Sequence, residues 1–174
     1  VTDIKFDYQL RNLGWAFATI RHDGQELQLH ASYLTHALDD LLYALVRLAQ
    51  GHRYAAVSWD AEPTEYRWVM HRHNDDVDVA IMTFPGRLPG RPDDAGTRVF
   101  NARWRLTDLV AAIAAGARRL LTELGEDRYA EQWDAGPFPR MELEALEKWL
   151  QAAHPAVPAQ RQAALPDLVH RREP

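Results

Sequence analysis

The dipeptide Asp23-Gly24, in the middle of LGWAFATIRHDGQELQLHAS, constrains this chain more than any other feature of its sequence. A two-residue hairpin turn needs positive φ at its centre, which glycine adopts freely and aspartate more readily than most residues. Folding the chain back about that turn pairs Ile20 with Leu27, Ala18 with Leu29 and Ala16 with Ala31 on one face. The other face pairs Arg21 with Glu26, Thr19 with Gln28 and Phe17 with His30. Apolar pairs separate from mostly polar ones, as a half-buried antiparallel ladder requires, and a slip by one residue would turn every side chain over. The small alanines of the apolar face leave room for a helix to pack closely.

A helix is predicted to follow at once. From Tyr33 to Gln50 the residues Leu34, Leu38, Leu41, Leu42, Leu45 and Leu48 recur at helical spacing, with Ser32 or Thr35 as the cap and Gly51 as the stop. Three or four strands come next: RYAAVSWDA, TEYRWVMHRH, VDVAIMTF and, after the proline- and glycine-rich PGRLPGRPDDAGT, RVFNARWRL. The rest reads as helical. Thr107 caps a segment carrying Leu109, Ile113, Leu120 and Leu124, a short turn holds Tyr129 and Trp133, and Pro139 opens a last helix with Leu143, Leu146 and Trp149. The order is ββα, then strands, then C-terminal helices. It predicts an α+β fold with one antiparallel sheet of about five to six strands and helices mainly on one face.

At 174 residues the chain suits one domain better than two. We expect a single α+β domain over residues 1–154 and a loosely ordered C-terminal tail over 155–174, where proline, alanine, glutamine and arginine lack periodicity. A net charge of −5 gives no general attraction to phosphate backbones, so nucleic acid is not expected as a partner. The longest apolar run, LVAAIAAGA, is nine residues against the roughly 20 that span a bilayer, so no membrane association is expected. Cysteine is absent, which removes disulfides, thiolate metal sites and cysteine nucleophiles together. With no signal-peptide pattern at the first residues, a cytoplasmic location is expected. The abundance of arginine and alanine is what a GC-rich bacterial genome encodes.

Reactive groups are densest in VMHRHNDDVDV. Folding about Asn74-Asp75 sets Met70 against Val79, Trp68 against Ile81 and Tyr66 against Thr83 on an inner face, with His71 meeting Asp78 and His73 meeting Asp76 outside. This describes a solvated hairpin tip with His–Asp cross-strand pairs. Two histidines at i and i+2 with an aspartate are also the start of a metal site, but no third histidine or supporting partner follows from spacing, and no cofactor is expected. Asp60 and Glu62 with nearby Glu65 have the residue types of a glycosidase pair, though strand-end carboxylates are ordinarily solubilising. Arg87 and Arg91 have the chemistry to hold an anion, while the loop that carries them reads as flexible. Neither Ser32 nor Ser58 sits in a nucleophile motif, and no phosphate-binding glycine pattern occurs.

Register leaves one anomaly. Trp15 and Phe17 point away from the alanine face, beside His30, and large aromatics on an uncovered sheet face must meet something. Either a C-terminal segment with Trp133 or Trp149 covers them, or they form a self-association or partner surface. The favoured function is a small non-catalytic protein-binding module, immunity- or adaptor-like, using that outer face. Its similarity to toxin-neutralising immunity proteins goes no further than size, charge and architecture, and no stretch carries a family signature. The alternative is a metal-dependent or hydrolytic enzyme centred on His71, His73, Asp76 and Asp78.

Overall fold

A computed structural model of the protein describes residues 4–153, so the tail expected over 155–174 lies outside the described residues. The chain runs β1 (Lys5–Leu10), β2 (Trp15–His22), β3 (Gln25–Ser32), α1 (Ala37–Ala49), β4 (Tyr54–Asp60), β5 (Glu65–His73), β6 (Asp76–Phe84), a 3-10 turn (Asp93–Ala95), β7 (Thr97–Arg105), α2 (Leu106–Leu124), α3 (Glu126–Trp133) and α4 (Arg140–Ala153).

The fold is α+β, but the expected single sheet of five to six strands is not what forms. There are two antiparallel sheets, one of three strands in the order β1-β2-β3 and one of four in the order β4-β5-β6-β7. The strand missed in the sequence is KFDYQL, where Phe6 and Tyr8 are buried while Lys5 and Gln9 are exposed. Its alternation is short and lacks a hairpin dipeptide before β2, so the element order is βββα. The break falls between β3 and β4, which α1 joins in sequence and which touch without forming a ladder; strand alternation does not say which strands pair across such a connection.

Both hairpins form in the predicted register. Ala16 faces Ala31, Ala18 faces Leu29 and Ile20 faces Leu27, and in the second hairpin Trp68 faces Ile81 and Met70 faces Val79. Asp23 (φ 48°) and Gly24 (φ 77°) both take the left-handed conformation that the first turn demands.

Helix starts differ from expectation. α1 begins at Ala37 rather than Tyr33 and has no side-chain cap; Thr35 instead accepts a hydrogen bond from the Asp60 amide at 3.2 Å, and Tyr33 and Leu34 are left exposed. Thr107 lies inside the first turn of α2 rather than capping it, because β7 passes directly into the helix and the Leu106 amide donates to Asp75 O at 2.8 Å.

The apolar faces of the two sheets meet in a common core. Phe6 of β1 approaches Trp68 of β5 edge-on at 6.3 Å, Tyr8 approaches Trp59 at 6.0 Å and His22 approaches Trp104 at 5.2 Å. The leucines of α1 and the apolar stripe of α2 complete this core, with α1 against β4 and α4, and α2 against β1 and α4. A second, small cluster of Val69, Met82 and Phe84 lies on the other face of the four-stranded sheet.

Candidate protein-binding face and the polar sites

Alternation along β2 places Trp15 and Phe17 on the face opposite Ala16, Ala18 and Ile20. Pairing of β2 with β3 then brings His30 beside Phe17, and the imidazole stands 6.1 Å from both aromatic rings. Tyr66 of β5 meets the His30 ring edge-on at 5.6 Å, and the Arg11 guanidinium lies 5.3 Å over Phe17. Phe17 keeps 36% of its surface exposed, and neither it nor Trp15 belongs to the apolar core. The C-terminal tryptophans are elsewhere: Trp133 is buried in that core and Trp149 packs at its margin, and neither makes a ring contact with Trp15 or Phe17 among the described residues. Three of the sequence-derived residues, Trp15, Phe17 and His30, are thus brought together as an amphipathic row with a cation at one end.

At the tip of the β5–β6 hairpin His71 faces Asp78 and His73 faces Asp76. The ion pairs are not the straight cross-strand ones. Asp78 receives two hydrogen bonds from Arg103 of β7, at 2.5 and 2.7 Å, and His73 reaches the same carboxylate diagonally at 3.2 Å. The Arg103 hydrogen bonds hold the Asp78 carboxyl below its ordinary range. His71 packs against Tyr54 at a tilt, with ring centres 5.1 Å apart. Among the described residues no group of three or more histidine, aspartate or glutamate side chains could hold a metal ion.

The carboxylates near Pro63 separate in role. Asp60 caps the Glu62 amide at 3.0 Å, but Glu65 is buried, contrary to its reading as a solubilising strand-end residue. Its Oε1 accepts from Ser58 Oγ at 2.6 Å and Arg67 Nε at 2.9 Å, and its Oε2 is buried with no hydrogen-bond partner. Arg67 continues the network, donating to Arg91 O at 2.7 Å and Asp93 Oδ1 at 2.9 Å, while Tyr54 donates to Asp93 Oδ2 at 2.5 Å. Burial opposes the Arg67 cation, yet hydrogen bonds to Asp93 and Glu65 leave its pKa raised. The guanidinium lies 4.3 Å over the Phe84 ring.

The loop between β6 and β7, expected to be flexible, is therefore tied across the sheet's outer face. Arg91, a possible anion ligand in the sequence, is used within the protein: it donates to Gly86 O at 3.3 Å and lies over Phe84. Sequence reasoning missed this site. Its signal was Glu65 and Arg67 at i and i+2 on one strand, with Asp93 beyond a long loop, and nothing in the spacing ties that loop to β5.

No helix among the described residues is long and apolar enough to cross a membrane. No family model matches the chain. No curated protein matches it either. Among solved structures it is similar to a chain of the CdiA-CT/CdiI toxin and immunity complex from Enterobacter cloacae, at 10% identity and a TM-score of 0.45, over 67% of this chain and 99% of that one.

Proposed function

We propose that the chain is a non-catalytic protein-binding module, immunity- or adaptor-like in kind, which engages a protein partner or a second copy through the outer face of β2 and β3. The observation that supports this reading is the row Trp15–His30–Phe17, whose two large aromatics stand outside the apolar core while Arg11 covers one end. Aromatic side chains with an arginine are the composition that interface centres favour. Burying two such rings contributes several kcal/mol at about 25 cal/mol per Å², enough to matter after the entropic costs of association.

Trp15→Ala combined with Phe17→Ala tests it. Because neither ring is part of the core, the double variant should melt within a few degrees of the parent while losing either self-association by sedimentation or retention of its partner. A large drop in melting temperature with unchanged mass would assign both rings to folding and remove the proposal's support.

A further inference from the structure

β4 is an outermost strand of the four-stranded sheet, and its backbone groups alternate in direction. Arg53 O accepts from Arg72 N at 2.8 Å and Ala61 N donates to Thr64 O at 2.7 Å, so the odd positions of this segment face β5. The even positions therefore turn their N–H and C=O groups to the open edge. One of them is occupied, since the Asp60 amide donates to Thr35 Oγ1. Tyr54, Ala56 and Ser58 have no backbone partner on that side among the described residues. They span about 13 Å at 3.3 Å per residue.

Two of the other three outermost strands are defended. β7, at the far side of the same sheet, carries Arg98, Arg103 and Arg105, and at β1 the Arg119 side chain donates to Phe6 O at 2.6 Å. Charges and covering groups are the usual protection against unwanted strand addition. The β4 segment YAAVSW has no charge, no proline and no glycine. Instead α1 stands beside it and β3 touches it, and α1 and β4 line a groove of about 400 Å³, with Ala56 and Ser58 on one side, Tyr43, Ala44 and Arg47 on the other, and Arg87 also in the lining.

That geometry selects the occupant. A second copy pairing its own β4 here would bring its own Arg47 and Arg87 toward these, like charge against like. A lone extended segment has no such conflict, and an exposed sheet edge is a known receiver of extended peptides. Charge sets its composition: the lining carries Arg47 and Arg87 against one carboxylate, Asp40. We infer that the groove between α1 and β4 binds an extended, proline-free segment of a partner protein, with acidic side chains alternating with apolar ones, as an added strand on β4. This goes beyond the hairpin-face reading and does not depend on it.

The test uses the isotope-labelled chain of residues 1–174 and two blocked eight-residue peptides, one alternating valine with glutamate and one alternating valine with lysine. The valine–glutamate peptide should give saturable amide shifts at Ala56, Ser58 and Tyr43–Arg47 and slow hydrogen exchange at Ala56 and Ser58, with the lysine peptide at least about tenfold weaker. Ala56→Pro removes only an outward N–H and should abolish binding with the fold retained. Should that variant misfold, Arg47→Glu with Arg87→Glu should reverse the peptide preference. Trp15→Ala with Phe17→Ala should leave peptide binding intact, so failure here is distinguishable from failure of the hairpin face. No saturable shift at about 1 mM valine–glutamate peptide, shifts lying away from this edge, or equal binding of the two peptides would overturn the inference.

Discussion

Arg67 lies buried between two carboxylates, and the direction in which its removal acts follows from what it leaves behind. Arg67→Ala strands Glu65, whose Oε2 already lacks a partner, so a loss of about 3–5 kcal/mol in denaturant unfolding is expected. Replacing both residues with apolar ones, Glu65→Leu with Arg67→Met, should recover most of it, because the desolvation cost disappears along with the ion pair. A double variant as unstable as the single one would show that the pair is worth more than its burial costs. The Tyr54 phenol is pushed up to about 12 by burial and by its hydrogen bond to Asp93. The folded state therefore favours the protonated phenol. Its contribution is whole below the ordinary tyrosine value of about 10 and is lost as pH rises toward 12. The stability difference between the parent and Tyr54→Phe should shrink across that window, and a flat difference would show that the bond does not hold the loop. None of this network was legible in the sequence, because a buried i, i+2 ion pair and an exposed one are written with the same letters. Trp15, Phe17 and His30 were legible, since alternation alone fixes their side of the sheet.

Two glycines at the level of elements show opposite limits on substitution. Gly24 has open space around an added Cβ, yet its φ of 77° makes Gly24→Ala cost about 1–2 kcal/mol through backbone strain. Gly116 is helical, and by propensity Gly116→Ala would gain about 1 kcal/mol. Its Cβ would stand 2.7 Å from Phe6 O, however, and overpacking of about 1–3 kcal/mol outweighs the gain. Thermal melts should show both variants destabilised, and a stabilised Gly116→Ala would mean that α2 and β1 separate easily. The hairpin registers were readable because each is decided by a local turn and a period of two. Helix starts were not: Ser32 and Thr35 have the right side chains for a cap, but Thr35 is used by the amide of Asp60, a contact across 25 positions of chain.

At the scale of the whole molecule, the two sheets share a core rather than owning one each. Phe6 and Tyr8 from one interlock with Trp68 and Trp59 from the other, so unfolding of either exposes the aromatics of both. Near- and far-ultraviolet circular dichroism should therefore give coincident melting curves, and a separate early transition would mean that the three-stranded sheet is an independent unit. The count of two sheets was hidden from the sequence for a related reason: hydrophobic alternation marks which face of a strand is buried, whereas sheet membership depends on which neighbours hydrogen-bond, and β3 and β4 touch without doing so. Of the six tryptophans, Trp59, Trp68, Trp104 and Trp133 are buried, leaving Trp15 and Trp149 in partial contact with solvent. A soluble fluorescence quencher should consequently reach two indoles and spare four. Since only Trp15 lies on the proposed β2–β3 face, the protein carries its own optical reporter there: a partner seated on that face would shield part of the quenchable emission, whereas a peptide lying along β4 would leave it unchanged.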